Sequence, residues 1–141
     1  MILILGVTAS GKGRLAFDLA ESLGAEIISI DSMKVYRRMD IGTAKPPKEA
    51  RKRIKYHLID VVEPSDSFSV GAFSNAASDV IEQINNRNGK IVAVGGTALY
   101  IKSLLYGLFD GFRFQSGVSP DVVRGPVNCA VLKQQSRNCD G

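Results

Sequence analysis

The chain has 141 residues, enough for one ordinary domain, and its 45% hydrophobic and 23% charged content with 14 Gly and 5 Pro excludes a collagenous or wholly disordered polypeptide. Eighteen basic against fourteen acidic residues leave a net charge of +4, which favours anionic partners without choosing among nucleic acid, phosphorylated metabolites and simple solubility. Cys129 and Cys139 lack the paired spacing of a zinc site or disulfide scaffold and read as free thiols; no apolar run reaches spanning length, so a soluble cytoplasmic protein with no membrane association and no stable protein partner is expected.

Ile2 to Leu5 form a continuous apolar run, as in a parallel strand covered on both faces. In GRLAFDLAESLG, Leu15, Leu19 and Leu23 recur every four residues with Ala16 and Ala20 beside them, which predicts a helix stopped by Gly24. AEIISID predicts a second strand over residues 26–30, with Asp31 just past its carboxyl end. Further on, the proline pair of PPKEARKRIK suits the first turn of a helix, and YHLIDVV fits a short strand or a packed loop. If KEARKRIK is helical, Lys48, Arg51, Lys52 and Lys55 share a basic face; lacking interleaved aromatics, it reads as solvated surface before RNA contact. His57, the only histidine, has no metal-ligand spacing around it and is expected to pack.

Phe73, Ala76, Ala77, Val80, Ile81 and Ile84 predict the clearest helix, with Ser69 as N-cap and NNRNG as its end. KIVAVGG reads as a third strand and TALYIKSLLYGL as another helix, with Leu99, Leu104, Leu105 and Leu108 on one face. Strand and helix alternating three times predict an α/β fold, a P-loop NTPase-like core with a parallel sheet flanked by helices. The core is expected to be incomplete, because no sustained periodicity or convincing closing strand follows Gly111. The expected division is a core over residues 1–111 and a divergent tail over 112–141, for which disorder is one reading.

GVTASGKG after the first strand satisfies the fixed part of the pattern G-x-x-x-x-G-K-[S/T] with Gly6, Gly11 and Lys12. Such a loop points backbone N–H groups inward, adds the dipole of the following helix and brings a lysine to phosphate oxygens. Gly13 stands where a hydroxyl normally ligates magnesium, so a bound metal needs another ligand, with Thr8, Ser10, Asp31 and water as candidates. Asp31 belongs on the same sheet edge, where open α/β sheets bind ligands. Its carboxylate fits holding metal through water or accepting a proton, which the sequence does not separate, or an Asx turn or helix cap formed by Asp31-Ser32. Gly95-Gly96-Thr97 ends the third strand there too; Thr97 fits a helix cap, a hydroxyl over the crevice, or both.

GVTASGKG, EIISIDSMKVYRRMDIGTAKP, HLIDVVEPSDSFSVGAF and VAVGGTALYIKSLLYGL together resemble, in order, the amino-terminal part of the tRNA dimethylallyltransferase (tRNA isopentenyltransferase) family, over residues 2–111. The resemblance implies transfer of a dimethylallyl group from dimethylallyl diphosphate to N6 of adenosine 37 in tRNA, with Mg²⁺ as cofactor. It implies Asp31 as general base and Thr97 as the hydroxyl contacting the leaving oxygen. Gly6, Thr8, Ala9, Ser10, Gly11, Lys12 and Gly13 correspond to the diphosphate loop, and Ser32 and Tyr36, with Thr8 and Ser10, to the substrate-binding segment. Gly13 departs from the family's threonine or serine, and Met33-Lys34 from a common arginine-glutamine pair, departures that bear on metal handling and local RNA contacts. The last thirty residues do not resemble the family's continuation, as a truncated product or an altered reading frame would give, and loss of the tRNA-gripping region would impair transfer. Three alternatives stand beside this reading: an adenylate isopentenyltransferase, a small-molecule P-loop kinase and a non-catalytic phosphate-binding remnant.

Overall fold

In chain order the elements are β1 (Ile2–Gly6), α1 (Lys12–Leu23), β2 (Ala25–Ile30), α2 (Lys48–Arg53), β3 (Tyr56–His57), α3 (Val70–Asn86), β4 (Lys90–Gly95), α4 (Ala98–Tyr106), β5 (Pro120–Arg124) and β6 (Cys129–Gln134). The computed structural model describes residues 1–7, 9–106, 120–124 and 129–134. Six strands form one sheet in the order β3-β2-β4-β1-β6-β5. β1, β2, β3 and β4 are mutually parallel where they pair, while β6 runs antiparallel to β1 and β5 antiparallel to β6.

The unbroken apolar runs are explained by helices on both faces of this sheet. Strand side chains alternate, so neighbours in one run enter different cores. Leu3, Ile28, Ile30, Ile91 and Ala93 pack with Phe73, Ala77, Ile81 and Ile84 of α3 and with Tyr100 and Leu104 of α4. Ile4, Ile27 and Val92 point the other way, onto Ala16 and Ala20 of α1. Ile4, Ile27, Ile28, Ile30, Phe73, Ile84 and Val92 are fully buried, each contributing ~1.5–3 kcal/mol relative to exposure.

The buried faces of two helices differ from the leucine pattern. In α1 the alanines carry the contact: Ala16 and Ala20 are fully buried, whereas Leu15 is exposed. Small side chains let the helix axis approach the sheet, and Leu19 and Leu23 cover its flanks. In α4, Tyr100, Ser103 and Leu104 are buried and Leu99 is exposed; Leu108 lies outside the described residues. Tyr100 takes the core position because its ring stacks on Phe73 at 4.1 Å and its hydroxyl donates to the Phe68 carbonyl at 3.1 Å.

The predicted caps are present. Gly24 closes α1 at φ 62°, its N–H reaching the carbonyls of Ala20 and Glu21. The Ser69 hydroxyl accepts from Ala72 N–H at 3.1 Å to start α3. KEARKRIK is helical only through Arg53, and its basic residues do not share one face. Arg51 turns inward to Pro46 and Asp60, Lys55 follows the helix and approaches Glu26, and Lys48 and Lys52 stay exposed. His57 packs as expected, half-buried, with Nε2 2.6 Å from Glu26 Oε2.

Beyond Gly111, where the sequence offered no convincing closing strand, β6 pairs with β1 along Ile2–Gly6 and β5 forms the outer edge. Pro120 opens β5, and an edge strand tolerates a residue without an N–H. Among the described residues no helix is long and apolar enough to cross a membrane.

Candidate active site

The carboxyl ends of β1, β2 and β4 meet at one edge of the sheet, and two glycines let them meet closely. A Cβ on Gly95 would lie 2.0 Å from the Ile30 carbonyl oxygen, and one on Gly96 would lie 2.8 Å from that of Gly6. The absence of side chains lets Gly96 and Thr97 N–H groups donate to Ile30 O at 3.3 and 3.4 Å. Thr97 O accepts from Ile101 N–H at 3.0 Å, so its backbone starts α4. Its hydroxyl turns to the neighbouring strand end instead, accepting from Ser32 N–H at 3.0 Å and lying 3.5 Å from Ser32 Oγ. Thr97 therefore joins the first turn of α4 through its backbone carbonyl, while its hydroxyl bonds to Ser32 and does not cap the helix.

Asp31 is likewise anchored on one side. Its Oδ1 accepts from Met33 N–H at 2.8 Å and Lys34 N–H at 3.2 Å, an Asx turn that fixes the carboxylate plane. Oδ2 faces the Lys34 ammonium at 3.9 Å. The Asx turn and a chemical role are compatible, because the turn uses only one oxygen.

The phosphate loop runs between β1 and α1. Ala9 and Gly11 have left-handed backbones, φ 61° and 79°, the kind of turn from which anion-binding nests are built. Glycine adopts this freely, whereas Ala9 is held there at a cost of ~1–2 kcal/mol. Lys12 Nζ donates to Val7 O at 2.9 Å. Ser10 Oγ is buried and has no hydrogen-bond partner among the described residues, whereas the position of a Cβ on Gly13 is open. Thr8 lies outside the described residues.

These strand ends border a cavity of about 930 Å³ lined by Gly6, Ala9–Gly13, Asp31 and Thr97. Val7, Phe17, Met33, Ile59 and Val94 give it an apolar wall. Ser32 and Tyr36 are beside it and not in its lining: Ser32 is joined to Thr97, and Tyr36 pairs with Val62 through an isolated bridge.

Two lysines of this cavity were not singled out from sequence as site residues by their chemistry. Lys34, whose side chain is 19% exposed, enters the lining beside Asp31. Burial, with nearby Lys12 adding repulsion, holds its ammonium below the ordinary lysine value despite the opposing pull of Asp31. Lys45, in DIGTAKP, has a side chain only 3% exposed and donates to Tyr36 O at 2.6 Å, Asp60 Oδ1 at 2.6 Å and Asp40 Oδ1 at 3.0 Å. Burial opposes its charge, but the bonds to Asp60 and Asp40 outweigh burial and raise its pKa. Arg51 completes the network at 2.6 Å from Asp60 Oδ2. Burial alone would raise the Asp60 pKa, yet Lys45 and Arg51 hold it below the usual carboxylate range. The alternation of a buried lysine with two aspartates is a signal visible in DIGTAKP and LIDVV only once the segments are known to touch.

The residues suit phosphate more than a protein-built metal cage. Among the described residues no group of three or more His, Cys, Asp or Glu could hold a metal. The unpartnered Ser10 hydroxyl is a hard oxygen donor of the kind Mg²⁺ accepts when phosphate and water supply its remaining ligands.

Comparison with known proteins identifies this arrangement. The model of a family described as IPP transferase matches residues 34–137. A tRNA dimethylallyltransferase 2 of Syntrophus aciditrophicus is 51% identical over 111 residues, covering 79% of this chain and 36% of that protein. A tRNA dimethylallyltransferase of Desulfosudis oleivorans is 42% identical over 142 residues, covering 99% and 45%. The crystal structure of full-length tRNA isopentenylpyrophosphate transferase from Bacillus halodurans superposes with a TM-score of 0.72 at 42% identity, over 81% of this chain and 37% of that one. The chain thus spans about a third of the length of the first curated relatives, such as 36% and 35%. The family match also runs past residue 111, where the resemblance read from the motifs stopped. Matched over well more than half its length, the chain belongs to the IPP transferase family.

Proposed function

We propose that this chain carries the diphosphate- and adenosine-handling chemistry of tRNA prenyl transfer, moving a dimethylallyl group from dimethylallyl diphosphate to N6 of adenosine 37. The observation that carries the reading is the meeting of a phosphate loop, a half-anchored carboxylate and a strand-end hydroxyl at one cavity.

In the reaction the N6 nitrogen attacks C1 of the dimethylallyl group while the C1–O bond breaks, and pyrophosphate leaves with the bonding electrons. The N6 proton passes to Asp31 Oδ2, the oxygen that the Asx turn leaves free. The inward N–H groups of the loop and Lys12 stabilise the charge developing on the leaving pyrophosphate, and the Thr97 hydroxyl is suited to the oxygen that parts from carbon. Mg²⁺, when bound, supplies further charge neutralisation on the diphosphate, with Ser10 as its loop hydroxyl. Val7, Met33 and Val94 suit the apolar tail, and reaction requires donor carbon and acceptor nitrogen within about 3–3.5 Å. Adenosine 37 must leave its stack to reach such a cavity.

The test is an incubation with labelled dimethylallyl diphosphate, Mg²⁺ and an A37-containing tRNA, beside AMP, followed by nucleoside mass analysis. Label on N6 of A37 is the expected result. Label on AMP alone assigns the acceptor to free nucleotide, and pyrophosphate binding without product at high protein concentration overturns catalysis by this chain.

A further inference from the structure

Six charged side chains line the cavity: Lys12, Arg14, Lys34, Lys45 and Arg53 are positive and Asp31 alone is negative. Three of the five cations already have carboxylates at close range. Arg14 pairs with Asp18, Lys45 with Asp40 and Asp60, and Arg53 with Glu21. Among the described residues Lys12 and Lys34 remain, and Asp31 is the carboxylate beside Lys34. Asp31 commits Oδ1 to two backbone N–H groups and stands 3.9 Å from Lys34 Nζ, longer than a hydrogen bond. A mostly buried ammonium at that distance is under-compensated, and a second ammonium nearby makes it more so. A polyanion between the two would turn their repulsion into attraction.

Gly13 also removes one hydroxyl that would customarily help to recruit a metal ion, leaving Ser10 to do so. We propose that Lys34 is a second phosphate-binding cation of this site, closing on the diphosphate with Lys12 and supplying charge that Gly13 does not recruit. This rests on the reading of the cavity as a diphosphate site. The role is specific to the side chain's charge: it needs an ammonium or guanidinium at residue 34, and a neutral side chain of similar length cannot serve.

The first test uses the unmutated full chain. Lysines are acetylated with acetic anhydride in EDTA, with and without inorganic pyrophosphate, and each site is quantified by mass spectrometry. Pyrophosphate should protect Lys12 and Lys34 and leave exposed Lys48 and Lys52 unchanged. Protection of Lys12 with none at Lys34 overturns the inference while sparing the phosphate site; protection of neither overturns both. The second test compares variants by calorimetry. In EDTA, Lys34→Gln should weaken pyrophosphate binding about tenfold, and Lys34→Arg should stay within about threefold of the parent because it keeps the charge. Parent-like affinity in K34Q, or an equal loss in K34R, contradicts the assignment.

Discussion

Two lysine–aspartate pairs border the same cavity and are built for different ends. Lys45 and Asp60 meet at 2.6 Å, and Arg51, Asp40 and the Tyr36 carbonyl occupy their remaining bonding positions. Lys34 and Asp31, both in the cavity lining, stand 3.9 Å apart, with one carboxylate oxygen fixed by backbone and the other toward the Lys34 ammonium. The closed pair has its charges satisfied internally and fastens the DIGTAKP segment to the loop before α3. The open pair retains unsatisfied charge of both signs where a diphosphate and an amine would arrive. Saturation of the polar groups, and not their residue types, distinguishes the two pairs.

Crossed substitutions separate the two pairs most forcefully. Asp31→Asn should lower single-turnover prenyl transfer by about 10²–10⁴-fold. The unfolding free energy should move by less than about 1 kcal/mol, since the amide oxygen still accepts from Met33 and Lys34 N–H. Transfer at the parent rate would remove Asp31 from the mechanism. Asp60→Ala should do the reverse, costing about 2–3 kcal/mol in urea unfolding because it strips the nearest partner from a buried ammonium, although Asp40 and Tyr36 O remain. An unaltered urea midpoint would contradict the structural role given to that network.

A third carboxylate sharpens the contrast with the smallest effect. Glu26, near the amino end of β2, is held by His57 and Arg87, with Lys55 at 4.0 Å. Burial raises its pKa, but the bonds to His57 and Arg87 prevail and keep it below the ordinary value of 4.5. A depressed folded value means that the stabilisation is complete above the unfolded pKa and is lost as pH falls through the folded one. Urea midpoints measured from about pH 6 down to pH 3 should therefore fall less steeply in Glu26→Gln, by a difference of about 1 kcal/mol or less. Parallel curves would show that Glu26 gains nothing from its partners.

What the sequence made legible follows from how local each signal is. The strands β1, β2 and β4 are contiguous apolar runs, and the phosphate loop, Asp31 and Thr97 lie immediately beyond their ends, so chain order alone brings them to one edge. The Lys45–Asp60–Arg51 network joins loop and helix residues that only tertiary contact brings together. The pairing of β6 with β1 is equally nonlocal. In α1 and α4 the spacing found most of the buried side but misplaced Leu15 and Leu99, which are exposed, because close helix–sheet packing favoured Ala16 and Ala20 at the centre, and a partner for both ring and hydroxyl favoured Tyr100. Lys34 was legible only as a departure from the family pattern; the Asx turn bonds its backbone N–H to Asp31, and only the folded segment shows its ammonium beside the other carboxylate oxygen.

The proposed grip of the Lys12 loop on a diphosphate beside Asp31 is open to direct measurement. Calorimetric titration of inorganic pyrophosphate into the folded chain and its Lys12→Ala variant tests it most directly. Saturable binding that weakens by about tenfold or more in K12A is the predicted result. A cooperatively unfolding parent chain that binds no pyrophosphate, or a K12A variant that binds it equally well, would contradict the claim.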